Sequence, residues 1–239
     1  MQISVIASGS NGNCCLVEEK EDSVLIDAGK SCREIENRLN NLGKSLENVN
    51  AILLTHNHID HRSGIDVISR RYNLPIYLTK DVADMVMITN AKIINGHFKI
   101  GSLAITPVRT SHDVPSVGFK INNFGLFTDT GIVTKEMEIA LRKIKGVLLE
   151  SNHDIDMLVN GRYPAFLKQR ILSDNGHLSN IHASNFIKEK GKHLDLALLG
   201  HLSGNNNTID ITKKTFETIV GNKEYSVLFR DKESGVWEL

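Results

Sequence analysis

The sequence has few cysteines, and their spacing is not that of paired thiols. Cys14, Cys15 and Cys32 are the only cysteines in 239 residues, and no CxxC motif occurs. An odd count without paired spacing argues against a disulfide framework and against a thiolate metal site. It is typical of a reducing compartment, so we expect a cytoplasmic protein.

The chain also lacks an excess of charge of either sign. Its formal net charge is zero, which argues against holding nucleic acid by bulk electrostatics but is compatible with a local basic patch. No apolar run approaches the length of a membrane span, and the first residues lack the pattern of a signal peptide. With four prolines, no linker and no repeat, the sequence predicts a single domain over residues 1–239 and no membrane partner.

Short β-branched and aliphatic runs alternate with helical patterns along the chain. The runs that predict strands occupy residues 3–7, 23–27, 51–55, 76–79, 103–110, 125–128, 146–150, 196–200 and 225–229. Helices are predicted over residues 31–42, 62–72, 80–89, 164–172, 179–190 and 207–220. Sheets followed by helices in each half indicate an α/β protein.

The most informative stretch is THNHIDH at residues 55–61, directly after an apolar run. It contains four potential metal ligands: His56, His58, Asp60 and His61. In an extended loop the first two could converge on one ion, and the last two could reach a second. Imidazole and carboxylate suit zinc, manganese or iron, so the motif predicts a two-metal hydrolytic site. The alternative is an ordinary solvated loop.

Three further candidate ligands follow predicted strands. His112 comes after an extended run, Asp129 lies in the motif TDTG, and His201 lies in the motif GHLS. A single histidine after a strand is more often a surface residue. Three such side chains, each at the carboxyl end of a strand and before a turn, favour a shared site.

Together these motifs resemble the five ligand motifs of the metallo-β-lactamase superfamily, in that family's order and over nearly the whole chain. The resemblance implies the family's four-layer α/β/β/α fold. It also implies two divalent metal ions, Zn²⁺ or Mn²⁺, and Fe²⁺ suits the same ligands. The turn Asp27-Ala28-Gly29 matches a superfamily turn that supports the site.

The resemblance also implies which residues hold each ion. One ion would be held by His56, His58 and His112, and the other by Asp60, His61 and His201. Asp129 would bridge the two ions together with a hydroxide, and Asp60 is also expected to act in catalysis. A carboxylate at the fourth motif, instead of a cysteine, points away from true lactamases.

Other segments are similar to the YycJ (WalJ) group of this superfamily. They are ASGSNGN at residues 7–13, ESNHD at 150–154, GRYP at 161–164 and RILSDNGHLSN at 170–180. The group comprises bacterial phosphodiesterases associated with 5′ to 3′ exonuclease activity on DNA. The resemblance therefore implies a DNA substrate.

Phosphodiester cleavage also needs a proton for the leaving oxygen. His177 before a predicted helix and Glu150 at a predicted strand end resemble the proton-donating pair of the ribonuclease Z branch. We expect His177 to be the general acid and Glu150 to orient it. The alternative is a helix-capping histidine and an exposed carboxylate.

Candidate substrate-binding residues lie between these segments. Arg162, Lys168 and Arg170 could form the local basic patch that a phosphodiesterase needs, and His153 could contact phosphate. Alternatively, Lys168 and Arg170 form the solvated face of a helix, and His153 closes a turn.

The resulting hypothesis is a two-metal phosphodiesterase, a 5′ to 3′ DNA exonuclease, in which a metal-bound hydroxide attacks phosphorus and His177 protonates the leaving oxygen. The first alternative is a small-molecule hydrolase: a cyclic phosphodiesterase, a thioesterase or a lactonase. The second is a non-enzyme, either a metal-stabilised scaffold or a redox sensor.

Overall fold

The computed structural model describes all 239 residues. Its strands are β1 (Gln2–Gly9), β2 (Gly12–Glu19), β3 (Asp22–Ile26), β4 (Ala51–Leu53), β5 (Ile76–Thr79), β6 (Ala91–Ile94), β7 (Phe98–Ile100), β8 (Leu103–Arg109), β9 (Val117–Ile121), β10 (Phe124–Phe127), β11 (Gly146–Glu150), β12 (Leu196–Gly200), β13 (Tyr225–Val227) and β14 (Gly235–Glu238). Its α-helices are α1 (Cys32–Asn41), α2 (Ile59–Arg62), α3 (Ile65–Tyr72), α4 (Lys80–Ala83), α5 (Lys135–Leu141), α6 (Ile155–Asn160), α7 (Ala165–Leu172), α8 (Asn180–Lys190) and α9 (Ile209–Val220).

The strands form two mixed seven-stranded sheets. The first has the order β14-β1-β2-β3-β4-β5-β6, and the second has the order β13-β12-β11-β10-β9-β8-β7. In the first sheet β3, β4, β5 and β6 run parallel. In the second, β10, β11, β12 and β13 run parallel. Carboxyl ends of neighbouring parallel strands meet at one edge of a sheet, so the polar side chains that follow them are brought together there.

The chain divides into two compact units. Unit 1 comprises residues 1–107 and 229–239, and unit 2 comprises residues 108–228. Each unit has its own core of buried aliphatic and aromatic side chains, represented by Ile35, Leu39 and Ile52 in unit 1 and by Phe127, Leu149 and Phe216 in unit 2. The single-domain organisation stays a prediction.

Most predicted elements are present, with two corrections among the helices. The helix predicted over residues 62–72 is divided into α2 and α3 at Gly64, because the Gly64 N–H donates to the Ala28 carbonyl at 2.8 Å and not to the preceding helical turn. A Cβ at Gly64 would lie 2.1 Å from the Lys30 carbonyl oxygen. The helix predicted over residues 80–89 is wrong beyond its first turn, since α4 ends at Ala83. None of the helices has both the length and the apolar character needed to cross a membrane.

Candidate metal centre

The THNHIDH motif forms the loop and the short helix that follow β4. His58 is the N-cap residue of α2 and has an extended backbone. The centroid of the His56 ring lies 4.7 Å from that of His58 and 4.1 Å from that of His61. The Asp60 carboxylate lies 3.6 Å from Nε2 of His61. Unit 1 therefore brings the four candidate ligands of this motif together.

A buried aspartate behind the motif orients its side chains. Nδ1 of His61 donates to Asp27 at 2.8 Å, and the Thr55 backbone N–H and hydroxyl both donate to this carboxylate at 2.9 Å. Burial raises the pKa of the Asp27 carboxyl, and the bonds from His61 and Thr55 oppose that rise. A carboxylate on the outer nitrogen of a metal-binding histidine fixes the ring and its tautomer. Asp27 therefore holds the His61 ring through Nδ1, as expected for a candidate metal ligand.

The turn that carries Asp27 packs directly against the motif. The Ala28 N–H donates to the His61 carbonyl at 2.8 Å. A Cβ at Gly29 would lie 1.6 Å from the Asp60 carbonyl oxygen, so only glycine fits without moving the backbone. This packing gives a physical reason for the Asp27-Ala28-Gly29 turn noted in the sequence.

Asn13 is a site residue that the sequence interpretation treated only as part of a turn. Its side-chain amide lies 3.0 Å from Nε2 of His61 and 3.5 Å from Oδ2 of Asp60. The same amide donates to the Gly9 carbonyl at 3.1 Å. The available signal was its place in ASGSNGN, a segment already similar to the YycJ/WalJ group.

In unit 2 the candidate residues lie at the carboxyl ends of parallel strands. Asp129 follows β10, Glu150 ends β11, and His201 follows β12. Together with His177 they offer ligand atoms that lie within 4.8 Å of one another. Asp129 and His201 have positive φ angles of 56° and 55°, as does Asp27 in unit 1 with 58°. Such backbone conformations in non-glycine residues concentrate at functional sites, where the surrounding structure holds them.

Glu150 links two histidines through one carboxylate. Nδ1 of His177 and Nδ1 of His201 each donate to its Oε1 at 2.7 Å. Its Oε2 accepts from the backbone N–H groups of Thr130 at 3.0 Å and Leu178 at 3.2 Å. Burial alone would raise the pKa of Glu150, but these histidines outweigh it and lower that pKa to about 2. Glu150 is therefore ionised and fully buried, so the alternative of an exposed strand-end carboxylate is wrong.

The environment of His177 also differs from that of a capping residue. The side chain of Ser179, not of His177, accepts from the first turn of α8. Burial lowers the pKa of His177, but Glu150 outweighs it, so that this pKa lies above its ordinary value. The helix-capping alternative for His177 is therefore wrong, and its ring is held by Glu150.

His112 completes this group of side chains in unit 2. Its Nε2 lies 3.7 Å from Asp129 and 3.2 Å from Asp113. Its Nδ1 donates to the Gly176 carbonyl at 3.3 Å. Burial lowers the pKa of His112 and favours the neutral ring that a metal requires. Asp113 was not singled out in the sequence, although it directly follows a predicted ligand.

The predicted substrate-binding residues have different surroundings. Arg162 is exposed. Lys168 donates to the Val159 carbonyl at 2.7 Å, and Arg170 forms an ion pair with Asp113. His153 is buried, neither of its ring nitrogens has a hydrogen-bond partner, and burial lowers its pKa to about 4.

The donor chemistry of both groups fits divalent metal ions. Each group combines imidazole nitrogens with carboxylate oxygens, and no cysteine contributes. In each unit a buried carboxylate holds the outer nitrogen of a candidate ligand, Asp27 on His61 and Glu150 on His201. This arrangement is the usual support of histidines that bind metals.

Comparisons with known proteins agree with the fold. Residues 7–138 match the sequence profile of the metallo-beta-lactamase superfamily. The metallo-beta-lactamase fold protein YhfI from Bacillus subtilis superposes with a TM-score of 0.75 at 20% identity, covering 99% of this chain and 98% of that chain.

Two curated relatives are similar over most of their length. The exodeoxyribonuclease YycJ of Bacillus anthracis is 34% identical over 245 residues, which cover 95% of this chain and 92% of that protein. The exodeoxyribonuclease WalJ of Streptococcus pneumoniae serotype 2 is 35% identical over 231 residues, which cover 89% and 85%. The chain therefore belongs to the metallo-β-lactamase superfamily, in its YycJ/WalJ group. The predicted fold class is confirmed, and the protein is a metal-dependent hydrolase.

Proposed function

We propose that this protein is a dinuclear-metal phosphodiesterase that removes nucleotides from DNA, acting as a 5′ to 3′ exonuclease. The observation that carries the proposal is the buried Glu150 carboxylate, which holds a candidate proton donor, His177, and a candidate metal ligand, His201, at 2.7 Å each. The exodeoxyribonuclease names of the relatives in two bacterial species support DNA as the substrate.

The proposed metal ligands are those that the superfamily motifs assign. They are His56, His58 and His112 for one ion, Asp60, His61 and His201 for the other, and Asp129 for both. Divalent ions supply an acidified water and neutralise charge on the phosphate. The orientation of His61 by Asp27 and of His201 by Glu150 supports this assignment within each unit.

We propose that His177 donates the proton that the leaving oxygen needs. Because Nδ1 of His177 is committed to Glu150, the atom that delivers the proton is Nε2. The carboxylate of Glu150 stabilises the charged ring before transfer and fixes its direction during transfer. Asp60 is proposed to act in catalysis beside His61, 3.6 Å away.

Substrate phosphates are proposed to contact Arg162, Lys168, Arg170 and His153. The exposed guanidinium of Arg162 can grip a phosphate through two parallel hydrogen bonds. His153 supports a polar ligand because its buried ring nitrogens lack protein partners, and such groups usually have one.

The direct test is degradation of end-labelled DNA by purified protein with Mn²⁺ or Zn²⁺. The panel comprises 5′-phosphorylated duplex, single strand and RNA. His58→Ala is the inactivating variant, and His97→Ala, at an exposed histidine of unit 1, is the matched control. Metal-dependent loss of nucleotides from a 5′ end by the wild type and His97→Ala, but not by His58→Ala, is the expected result. Turnover of only small phosphodiesters would contradict the DNA assignment.

A further inference from the structure

Helix α7 is unusual because none of its eight residues is buried. Helices in proteins are normally stabilised by an apolar face that packs against the core. Here the largest apolar side chain of the helix, Phe166, is 72% exposed, and Leu172 is 46% exposed. Phe166 is therefore available to contact a partner, and the surrounding charge has to show which kind of partner it fits.

The charge around α7 indicates the chemistry of that partner. Residues 157–173 contain Arg162, Lys168 and Arg170 and no aspartate or glutamate. This segment is locally basic in a chain whose formal net charge is zero. A basic segment that also presents an aromatic ring matches a nucleic-acid strand, since cations contact phosphates and the ring stacks on a base.

The carboxyl end of α7 contacts the segment that carries His177, the proposed proton donor of unit 2. The His177 N–H donates to the Ile171 carbonyl at 3.0 Å. A Cβ at Gly176 would lie 2.2 Å from that same carbonyl oxygen, so the chain passes against the end of the helix. Arg170 pairs with Asp113, which lies 3.2 Å from His112. A strand lying along α7 would therefore reach the proposed catalytic residues directly.

We propose that α7 and the loop before it bind an unpaired DNA strand, with Phe166 stacking on a base and Arg162 and Lys168 contacting phosphates. This inference rests on the proposed function and defines its substrate as a strand with at least one unpaired base near the cleaved bond. The ion pair between Arg170 and Asp113 joins the helix to the site.

The test compares two strands of equal charge, one with bases and one with tetrahydrofuran abasic residues. Both are phosphorothioate-linked to resist hydrolysis, and the dissociation constant for the metal-loaded protein is measured by fluorescence anisotropy. The wild type is expected to bind the strand with bases more tightly. Phe166→Ala is expected to weaken that binding about five- to a hundredfold, the effect of losing one base–aromatic stack, and to remove the preference for bases.

Two variants serve as references. Ile139→Ala removes an apolar side chain on α5 that is 56% exposed, and it should bind both strands as the wild type does. Phe166→Trp keeps a stacking ring, and its fluorescence should be quenched by the strand with bases only. The native chain has one tryptophan, Trp237, whose signal is subtracted by using the wild type.

The outcomes separate this inference from the proposed function. If Phe166→Ala binds the base-bearing strand as tightly as the wild type, while the wild type degrades DNA, the role of Phe166 is overturned and the proposed function stands. If the wild type binds neither strand and degrades no DNA, both are overturned. If Phe166→Ala weakens binding of both strands equally, the Phe166 ring makes a structural contact, and the proposed stacking on a base is overturned.

Discussion

Glu150 is the residue that most clearly connects structure to chemistry. Its two oxygens accept hydrogen bonds from the His177 and His201 rings and from two backbone N–H groups. These bonds fix the carboxylate, and the carboxylate in turn fixes the orientation of both rings. With a pKa of about 2 it is ionised at neutral pH, and both bonded Nδ1 atoms carry protons. Under the proposed function, Nε2 of each ring is therefore the atom that would transfer the proton or bind the metal.

His177→Ala should separate metal binding from proton donation. We expect the variant to keep its metal and to slow hydrolysis of DNA about a hundredfold, the effect typical of losing a general acid. Hydrolysis of a nitrophenyl phosphodiester should change much less, since that leaving group needs no proton. The measurement is kcat for both substrates together with metal content. Full activity of the variant on DNA would contradict the assignment.

Asp27→Asn should weaken metal binding without removing a ligand. The amide cannot hold the protonated Nδ1 of His61 as a carboxylate does, so we expect metal affinity to fall about ten- to a hundredfold. Metal content after equilibration against buffered Zn²⁺ or Mn²⁺ measures this. Asp66→Asn, at an exposed position of α3, is the matched control. If both variants retained the same amount of metal, Asp27 would not support a metal ligand.

The candidate ligands of unit 1 could be proposed from the sequence because they are close together along the chain, whereas the side chains that support them could not. His56, His58 and His61 come from one heptapeptide. Asn13, in contrast, reaches His61 only through the pairing of strands far apart in sequence. A single sequence contains no signal for that contact beyond the motif in which Asn13 occurs.

Among the elements, a buried amide pair holds the chain that follows β11. Nδ2 of Asn207 donates to the carbonyls of Ser151 at 2.9 Å and Asn152 at 3.0 Å. Asn180 and Asn207 also exchange side-chain bonds of 3.0 Å in both directions. These bonds join the loop after Glu150 to the starts of α8 and α9.

Asn207→Ala should therefore destabilise the fold and disturb the site. Its loss removes the Asn207 bond to the Ser151 carbonyl and the partner of the Asn180 amide, while the Asn152 carbonyl keeps only its bond from the Ser203 N–H. We expect the free energy of unfolding to fall by about 2–4 kcal/mol. Denaturant titration measures the change. Asn205→Ala, two residues away and exposed, should stay within about 0.5 kcal/mol of the wild type. Equal stability of the two variants would contradict the role of this pair.

Element prediction succeeded for several continuous apolar runs, but it missed both edge strands of the first sheet and the mostly buried strands β2 and β9. The parallel strands β11 and β12 consist almost entirely of buried residues and were predicted with their observed bounds. The edge strands β6 and β14 were not predicted, because they are mostly exposed and depend on hydrogen bonds to β5 and β1. Helix α5 was also missed, although Thr134 caps it by accepting from Met137.

At the scale of the whole molecule, the chain has no formal net charge, but the segment that contains α7 is basic. Binding of DNA through a few cations, and not through a large positive field, predicts a shallow dependence of affinity on salt. The sequence indicated the superfamily from the order of its motifs, and the α/β class from the succession of strand and helix patterns. The exposure of Phe166 could not be read from sequence, because an aromatic residue in a helical pattern more often packs in a core.

The central claim, a two-metal hydrolase that acts on DNA, is tested most directly by titrating metal-free protein with Mn²⁺ or Zn²⁺ while the rate of DNA hydrolysis is followed. The account predicts no hydrolysis without metal and a rate that becomes maximal at two equivalents per chain. Hydrolysis by protein that retains no metal, a maximum at one equivalent, or no DNA hydrolysis at any loading would contradict it.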